Sequence, residues 1–392
     1  MSSSSSSCAA WPAAEDVTSS SEWQIRWLDA HAPYTAPGPR SLSDCAHLPS
    51  DAADFAEPHH AHWVASGYAA RLPYLTRSDC NATRILWPGA RHPPPRSIVA
   101  LWKAAGEIAV TAGGALYAPR SRRLYQQHPE YHAPPPCAPT AAALAAAPRH
   151  RRAVALTQAY GANHWHLLAE LLPRALTVRP LLAADAGAAL LLPPGATAAA
   201  RELLVLLGAD PASIHPMTTE LVVAGALAFP TYAPFSWHTE PPAAPIRALR
   251  AALLAALPPP PPPTCEGGVL LALREERDVD NWDEAARALR AAGRCVVAER
   301  ALGLPVAAQA ALFRTPRVLV GSHGANLANM IFSRGPLAVL ELPAPPPRPP
   351  FRNYAHLAAV LGFEHWILEP RGAGVDVALL ALSVARVYEN AG

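Results

Sequence analysis

Between residues 317 and 342 the chain reads RVLVGSHGANLANMIFSRGPLAVLEL, and its apolar positions fall into unbroken runs rather than alternating with polar ones. Val318, Leu319 and Val320 close on Gly321, and Leu337 to Leu340 close on Glu341. Short continuous apolar runs predict strands buried on both faces, as in a parallel sheet. Between them, Gly321 and Gly324 permit a tight turn, and Asn326 is positioned to cap a helix over 327–332. Strand, glycine turn and helix start form the arrangement in which α/β sheets hold phosphate on unpaired N–H groups and a helix dipole. Glu341 then emerges at the carboxyl end of the next strand, a natural partner for a ribose hydroxyl.

A helical pattern governs residues 161–176, GANHWHLLAELLPRAL. Asn163 is a plausible cap, and His166, Glu170 and Arg174 recur at four-residue spacing while Leu167, Leu168, Leu171 and Leu172 turn elsewhere. A titratable stripe results. On spacing alone the favoured reading is a solvated face with an ordinary Glu–Arg pair.

Around these stretches the chain alternates strand-like and helix-like segments. Strands are expected at 188–192 and 221–224, helices at 197–207 and 246–257, and then Pro258 to Pro263 forms a run of six prolines. Such a run is extended and joins no hydrogen-bond ladder, so it marks a boundary. A second lobe opens with the strand 269–273, at whose end Arg274 and Arg277 offer two guanidiniums able to grip a diphosphate. A helix at 283–292, a strand at 295–298 and a helix at 305–313 lead back into the glycine turn. Beyond it, 354–361 reads as a helix, 365–368 as a strand and 375–388 as a last helix expected to pack back across the first lobe. The opening region reads as loop-rich but packed, with strands at 97–102 and 107–111 and a hairpin turn at Gly113-Gly114. The aromatic stretch 230–238, PTYAPFSWH, is a candidate acceptor surface, and equally a set of packed aromatics. The expected organisation is a flexible segment 1–22, an extension with a first lobe 23–257, a linker 258–264, a second lobe 265–370 and a C-terminal helix 371–392.

Composition narrows the chemistry. A length of 392 residues has room for two domains, and a net charge of +2, from 32 basic and 30 acidic residues, gives no electrostatic footprint for nucleic acid. The six cysteines are scattered without a C-x-x-C pair, which argues against zinc, and Cys295 reads as a core thiol. No apolar run is long enough to span a bilayer, and no signal peptide is evident, although Asn81-Ala82-Thr83 is a glycosylation sequon. Asp278-Val279-Asp280 matches a D-x-D pattern that can hold a divalent ion against a nucleotide diphosphate, but it sits in a basic turn without the strand context that such a site requires.

VGSHGANLANMIF followed by VLEL resembles the carboxyl-terminal signature of glycosyltransferase family 61, V-G-x-H-G-A-x-L-x-N-x-x-F and then an acidic residue after a strand. His323, Gly324, Ala325, Leu327, Asn329, Phe332, Gly335 and Glu341 are in register; Asn326 replaces a frequent glycine and Ala328 a threonine or serine. GANHWHLLAELLPRAL resembles the family block N-x-x-H-W-x-x-E-x-L-P-R-L, with Leu167 for tryptophan and Ala175 for leucine. A looser third block aligns Arg274, Arg277, Asn281 and Glu284. The likeness covers about residues 154–370.

That resemblance implies an α/β protein of two Rossmann-like lobes, of the glycosyltransferase B type, with a loop-rich N-terminal extension and a cleft between the lobes. The implied activity is inverting transfer of a sugar of the xylose, arabinose or N-acetylglucosamine class from a nucleotide sugar, UDP-linked, to a glycan or glycoprotein acceptor. The base is Glu170 or His166, with Arg174 orienting it. Arg274, Arg277, His323, Gly324, Ala325, Asn326 and Asn329 hold the donor diphosphate region, and Glu341 its ribose. No metal or other cofactor is required where arginine and histidine supply the charge. The setting implied is the Golgi or secretory lumen. The alternative is a catalytically inactive protein of the same fold that binds nucleotide sugar or carbohydrate without turnover.

Overall fold

The structure is a computed structural model. It describes residues 14–15, 23–27, 75–77, 100–104, 107–125, 138–184, 187–230, 243–259, 262, 265–274, 279–342, 353–368 and 374–390. Packing divides the chain into two compact units, 1–31 with 96–239 and 32–95 with 240–392.

The strands, in chain order, are β1 (Ala14–Glu15), β2 (Trp23–Trp27), β3 (Leu75–Arg77), β4 (Ala100–Ala104), β5 (Ile108–Thr111), β6 (Leu116–Ala118), β7 (Arg123–Tyr125), β8 (Arg149–Ala155), β9 (Ala189–Leu192), β10 (Ile214–Pro216), β11 (Leu221–Pro230), β12 (Val269–Ala272), β13 (Val296–Glu299), β14 (Val318–Ser322), β15 (Ala338–Leu342) and β16 (Glu364–Leu368). The helices are α1 (Ala141–Ala146), α2 (His164–His166 continuing through Leu167–Leu171 into Leu172–Ala184), α3 (Ala198–Leu206), α4 (Ala243–Ala256), α5 (Trp282–Ala291), α6 (Val306–Arg314), α7 (Asn353–Leu361) and α8 (Val377–Asn390).

The first unit is built on a mixed sheet ordered β1-β7-β6-β5-β11-β8-β9-β10, with β4 also on β11 and β2 on β4. β11, β8, β9 and β10 run parallel, whereas β5 and β4 lie antiparallel to β11. The strands expected in the opening region are present as β4 and β5, joined through the turn at Gly113-Gly114 to β6, and with β7 they supply the antiparallel half of the same sheet. β11 runs well past its expected end at residue 224, because Ala226 to Ala228 stay in register with Arg152 to Val154 of β8 while Ala228 to Pro230 pair with β4. Ladders on both sides carry the strand through Gly225.

In the second unit β13, β12, β14, β15 and β16 form a parallel sheet, with β3 antiparallel at its edge. Val269, Leu271, Val318, Val320 and Leu340 pack on one face with Trp282 and Leu289 of α5 and Leu380, Val384 and Val387 of α8. The last helix therefore covers its own unit's sheet, and Tyr388 secures it by donating to the Gly267 carbonyl at 2.6 Å.

Two further expectations change. The break between units falls at 239/240, ahead of the proline run, because α4 packs with the second unit. Its Ile246, Leu249 and Leu253 are buried, Arg247 donates to the Val360 carbonyl at 2.8 Å and Arg250 to that of Ser333 at 2.5 Å. Cys295 is no core thiol; it lies exposed just before the edge strand β13 and forms a disulfide with Cys265, Cα to Cα 5.5 Å. The sequon at Asn81, the aromatic stretch beyond Pro230, Asp278, and Cys8, Cys45, Cys80 and Cys137 lie outside the described residues. No helix among the described residues is long and apolar enough to cross a membrane.

Candidate functional site

Two side-chain clusters hold the titratable residues singled out above, one in each unit.

In the first unit the chain leaves β8 through a turn at residues 156–163. Gly161 is required there by space: a Cβ would stand 2.5 Å from Cγ of Pro193. Asn163 caps α2 as expected, its Oδ1 accepting from the Trp165 N–H at 2.9 Å. The helix then widens into a π-helical turn over Leu167–Leu171, where the Leu172 N–H reaches back to the Leu167 carbonyl. Pro173 follows at once and has no N–H to give, so the irregular ladder sits where the sequence removes a donor.

This turn carries Glu170 into the interior, 1% exposed, while His166 remains 18% exposed at the side chain. Oε2 of Glu170 receives Nε2 of Gln158 at 2.5 Å and faces Nδ1 of His166 at 2.9 Å. Arg174, also buried, donates from Nη2 to the Leu156 carbonyl at 3.0 Å and to Oε1 of Gln158. Gln158 therefore bridges Arg174 to Glu170. The His166, Glu170, Arg174 stripe is not a solvated face but a buried network with one histidine at its rim. Tyr160 stacks on that histidine, ring centroids 5.7 Å apart, and it is 68% exposed with a left-handed φ of 61°.

In the second unit β14 ends at Ser322, and the His323 N–H bonds to the Leu342 carbonyl at 2.7 Å, tying the turn to β15. Gly324 has an extended backbone, so its role is not conformational. A Cβ there would lie 2.3 Å from Cζ of Arg274, whose Nη1 donates to the His323 carbonyl. The guanidinium thus rests directly on the glycine. Nδ1 of His323 pairs with Oε1 of Glu341, and Nε2 of His365 lies 2.8 Å from Oε2 of the same carboxylate. The edge of Tyr354 meets the His323 ring at 5.1 Å. Glu341 is 4% exposed. Burial works to raise its pKa, but the charge and hydrogen bond of His323, joined by those of His365, outweigh burial and hold the carboxyl at about 2.

Several expected roles shift with this geometry. Both oxygens of Glu341 face histidines rather than standing open for a ribose. Residues Ala325–Phe332 form a 3₁₀ helix whose cap position is Gly324, so Asn326 is not its N-cap. Instead the buried Asn326 amide donates to the Leu273 carbonyl at 3.2 Å, and Asn329 donates to Gln309 Oε1 and Asn326 Oδ1, each at 3.2 Å. These asparagines bind the turn to β12 and α6. Ala325, half-buried, opens the 3₁₀ segment. Arg277 lies outside the described residues. Asn281 exchanges hydrogen bonds with the backbone of Val375, both 2.9 Å, and so anchors the approach to α8.

Gln158, Tyr160 and His365 had not been singled out. The one available signal for His365 was a histidine inside an apolar strand. Because Ile367 is the partner of Glu341 in the β15–β16 ladder, the residue two before it points to the same face.

Residues 164–340 match the family model described as glycosyltransferase 61. That span takes in His166, Glu170, Arg174, Arg274, His323, Gly324 and Asn329, and it ends one residue short of Glu341. No curated protein matches the chain.

Proposed function

With a glycosyltransferase 61 region over residues 164–340, we propose that the chain transfers a sugar from a UDP-linked nucleotide sugar to a glycan or glycoprotein acceptor, with inversion. The observation that carries this reading is Arg274 resting on Gly324 and donating to the carbonyl of His323, whose ring is pinned by a buried carboxylate. Cationic and N–H donors thus gather at the carboxyl end of parallel strands, where α/β sheets take anionic ligands and where charge grows as a diphosphate leaves.

On this reading the protein is of the glycosyltransferase B type, with acceptor chemistry in the first unit and donor chemistry in the second. His166 is the base. Glu170, too buried to meet an acceptor, orients it, and Gln158 and Arg174 in turn hold Glu170. The acceptor oxygen attacks the anomeric carbon as the bond to the diphosphate breaks. The hydroxyl proton passes to His166, and the electron pair leaves on the diphosphate. His323, the guanidinium of Arg274, Arg277 and the N–H groups of Gly324 and Ala325 receive that charge. Asn326, Asn329 and Glu341 position them, which makes the reaction metal-independent. The donor sugar is of the xylose, arabinose or N-acetylglucosamine class. The Cys265–Cys295 disulfide supports an oxidising compartment such as the secretory lumen.

A panel of UDP-sugars titrated calorimetrically, with UDP release measured in the presence of glycan acceptors, tests the assignment. Donor binding that survives His166→Ala while transfer is lost is the expected result. Donor binding without transfer to any acceptor would instead establish a binding protein. Transfer abolished by EDTA and restored by manganese would overturn the roles given to Arg274 and His323.

A further inference from the structure

His365 is a buried titratable group to which the transfer chemistry gives no part. It is 2% exposed, stands in β16 between Glu364 and Trp366, and lies beyond the residues 164–340 that match the family model. Trp366 packs into the core shared with α5 and α8, so His365 turns to the opposite face of the sheet, the one that carries Glu341. An imidazole is costly to bury unless its polar nitrogens find partners.

Its partner is the second oxygen of Glu341. That carboxylate is 4% exposed in a parallel sheet, where an ionised oxygen facing no donor is unfavourable. Nδ1 of His323 takes Oε1, and Nε2 of His365 lies 2.8 Å from Oε2. Burial pushes the Glu341 carboxyl up, while the charge and hydrogen bond of His323, followed by those of His365, bring it down to about 2. With one histidine on each oxygen the carboxylate is held in one orientation. Without His365, a bare Oε2 would compete for Nδ1 of His323 and the carboxylate would turn.

The consequence falls on His323. Its backbone is fixed on both sides, the N–H on the Leu342 carbonyl and the carbonyl on Arg274, and Tyr354 meets the edge of its ring. The proton on the ring is set by Glu341, because an ionised carboxylate facing Nδ1 requires the hydrogen there. The nitrogen that serves a donor diphosphate is then Nε2.

We propose that His365 is a positioning residue: by holding Oε2 of Glu341 it keeps Oε1 on Nδ1 of His323, and so fixes the ring and tautomer with which His323 meets the donor. This rests on the donor role proposed for His323. The charged and titratable groups gathered here are Arg274 after β12, His323 after β14, Glu341 on β15, His365 on β16 and Tyr354 on α7.

Histidine nitrogen NMR on the full chain, with calorimetric titration of UDP-xylose, UDP-arabinose and UDP-N-acetylglucosamine, tests the proposal. His365→Leu removes the contact with Oε2; the carboxylate-bound Nδ1–H signal of His323 is lost, and donor affinity falls about tenfold, the worth of one hydrogen bond to a charged group. His365→Gln brings an amide N–H back within reach of Oε2 and restores both. His365→Asn, whose amide stops short of Oε2, behaves as the leucine variant and takes its place should leucine fail to fold. A His323 signal unchanged in the leucine or asparagine variant, a donor affinity unchanged in either, or a folded glutamine variant no better than they are would each overturn the role of His365. No UDP-sugar binding by the unaltered chain, with the His323 signal still dependent on residue 365, would instead overturn the donor reading and uphold the positioning of His323.

Discussion

His166 and Glu170 meet at 2.9 Å across a π-helical turn rather than an α-helical one. The wider turn places the carboxylate in the interior and leaves the imidazole at the rim, so the buried group can act only through its neighbour. His166→Ala is expected to lower kcat for transfer by about 10²–10⁴, the range for losing a positioned base, with donor affinity unchanged. Glu170→Gln keeps the shape but not the charge; it should lower kcat less and shift the pH profile of transfer. A titration of donor binding alongside initial rates separates these effects, and equal loss of donor binding in both variants would contradict the assignment.

Gly324→Ala tests the close approach of Arg274. The backbone is extended and tolerates any residue, so folding should survive, but the new Cβ occupies the space of the guanidinium. Donor affinity is expected to fall by about 1.5–3 kcal/mol, the worth of a hydrogen bond to a charged group. Arg274→Ala should cost a similar amount, and the double variant little more than either, since both remove one interaction.

Acid stability reports on Glu341. Its folded pKa of about 2 lies below the ordinary 4.5, so folding favours the charged carboxylate. The stabilisation is complete above about pH 4.5, fades as pH falls toward 2, and is on the order of 3 kcal/mol. Urea denaturation across that window should show the loss, and Glu341→Gln should flatten it.

Reducing the Cys265–Cys295 bridge releases a loop closed over a separation of 30 residues. Chain entropy predicts a loss of about 3–4 kcal/mol. Guanidinium unfolding with and without reductant, paired with a count of reactive thiols, measures it.

Tyr160→Gly should separate stability from activity. Relieving a left-handed non-glycine backbone contributes about 1–2 kcal/mol, while losing the ring stacked on His166 should raise the acceptor KM. A variant no more stable than the parent would argue against stored strain at this turn.

Much of this architecture was legible because its causes are local. The runs before Gly321 and Glu341 announce parallel strands, since a strand buried on both faces admits only apolar residues. Asn163 as a cap and the helix beyond it follow from residues adjacent in the chain. The glycine turn was visible too, though its glycine proved to serve Arg274 rather than the backbone's own conformation.

What depended on the fold was which distant groups meet. His365 reaches Glu341 because β16 aligns beside β15, Gln158 reaches Glu170 because the turn after β8 folds over α2, and Cys265 finds Cys295 across the foot of β12 and β13. The allegiance of α4 was decided the same way, by carbonyls of Ser333 and Val360 that its arginines could meet only after packing. Periodicity and capping are properties of neighbours along the backbone, whereas pairing between remote side chains is set by register and layer contacts that no stretch of sequence contains on its own.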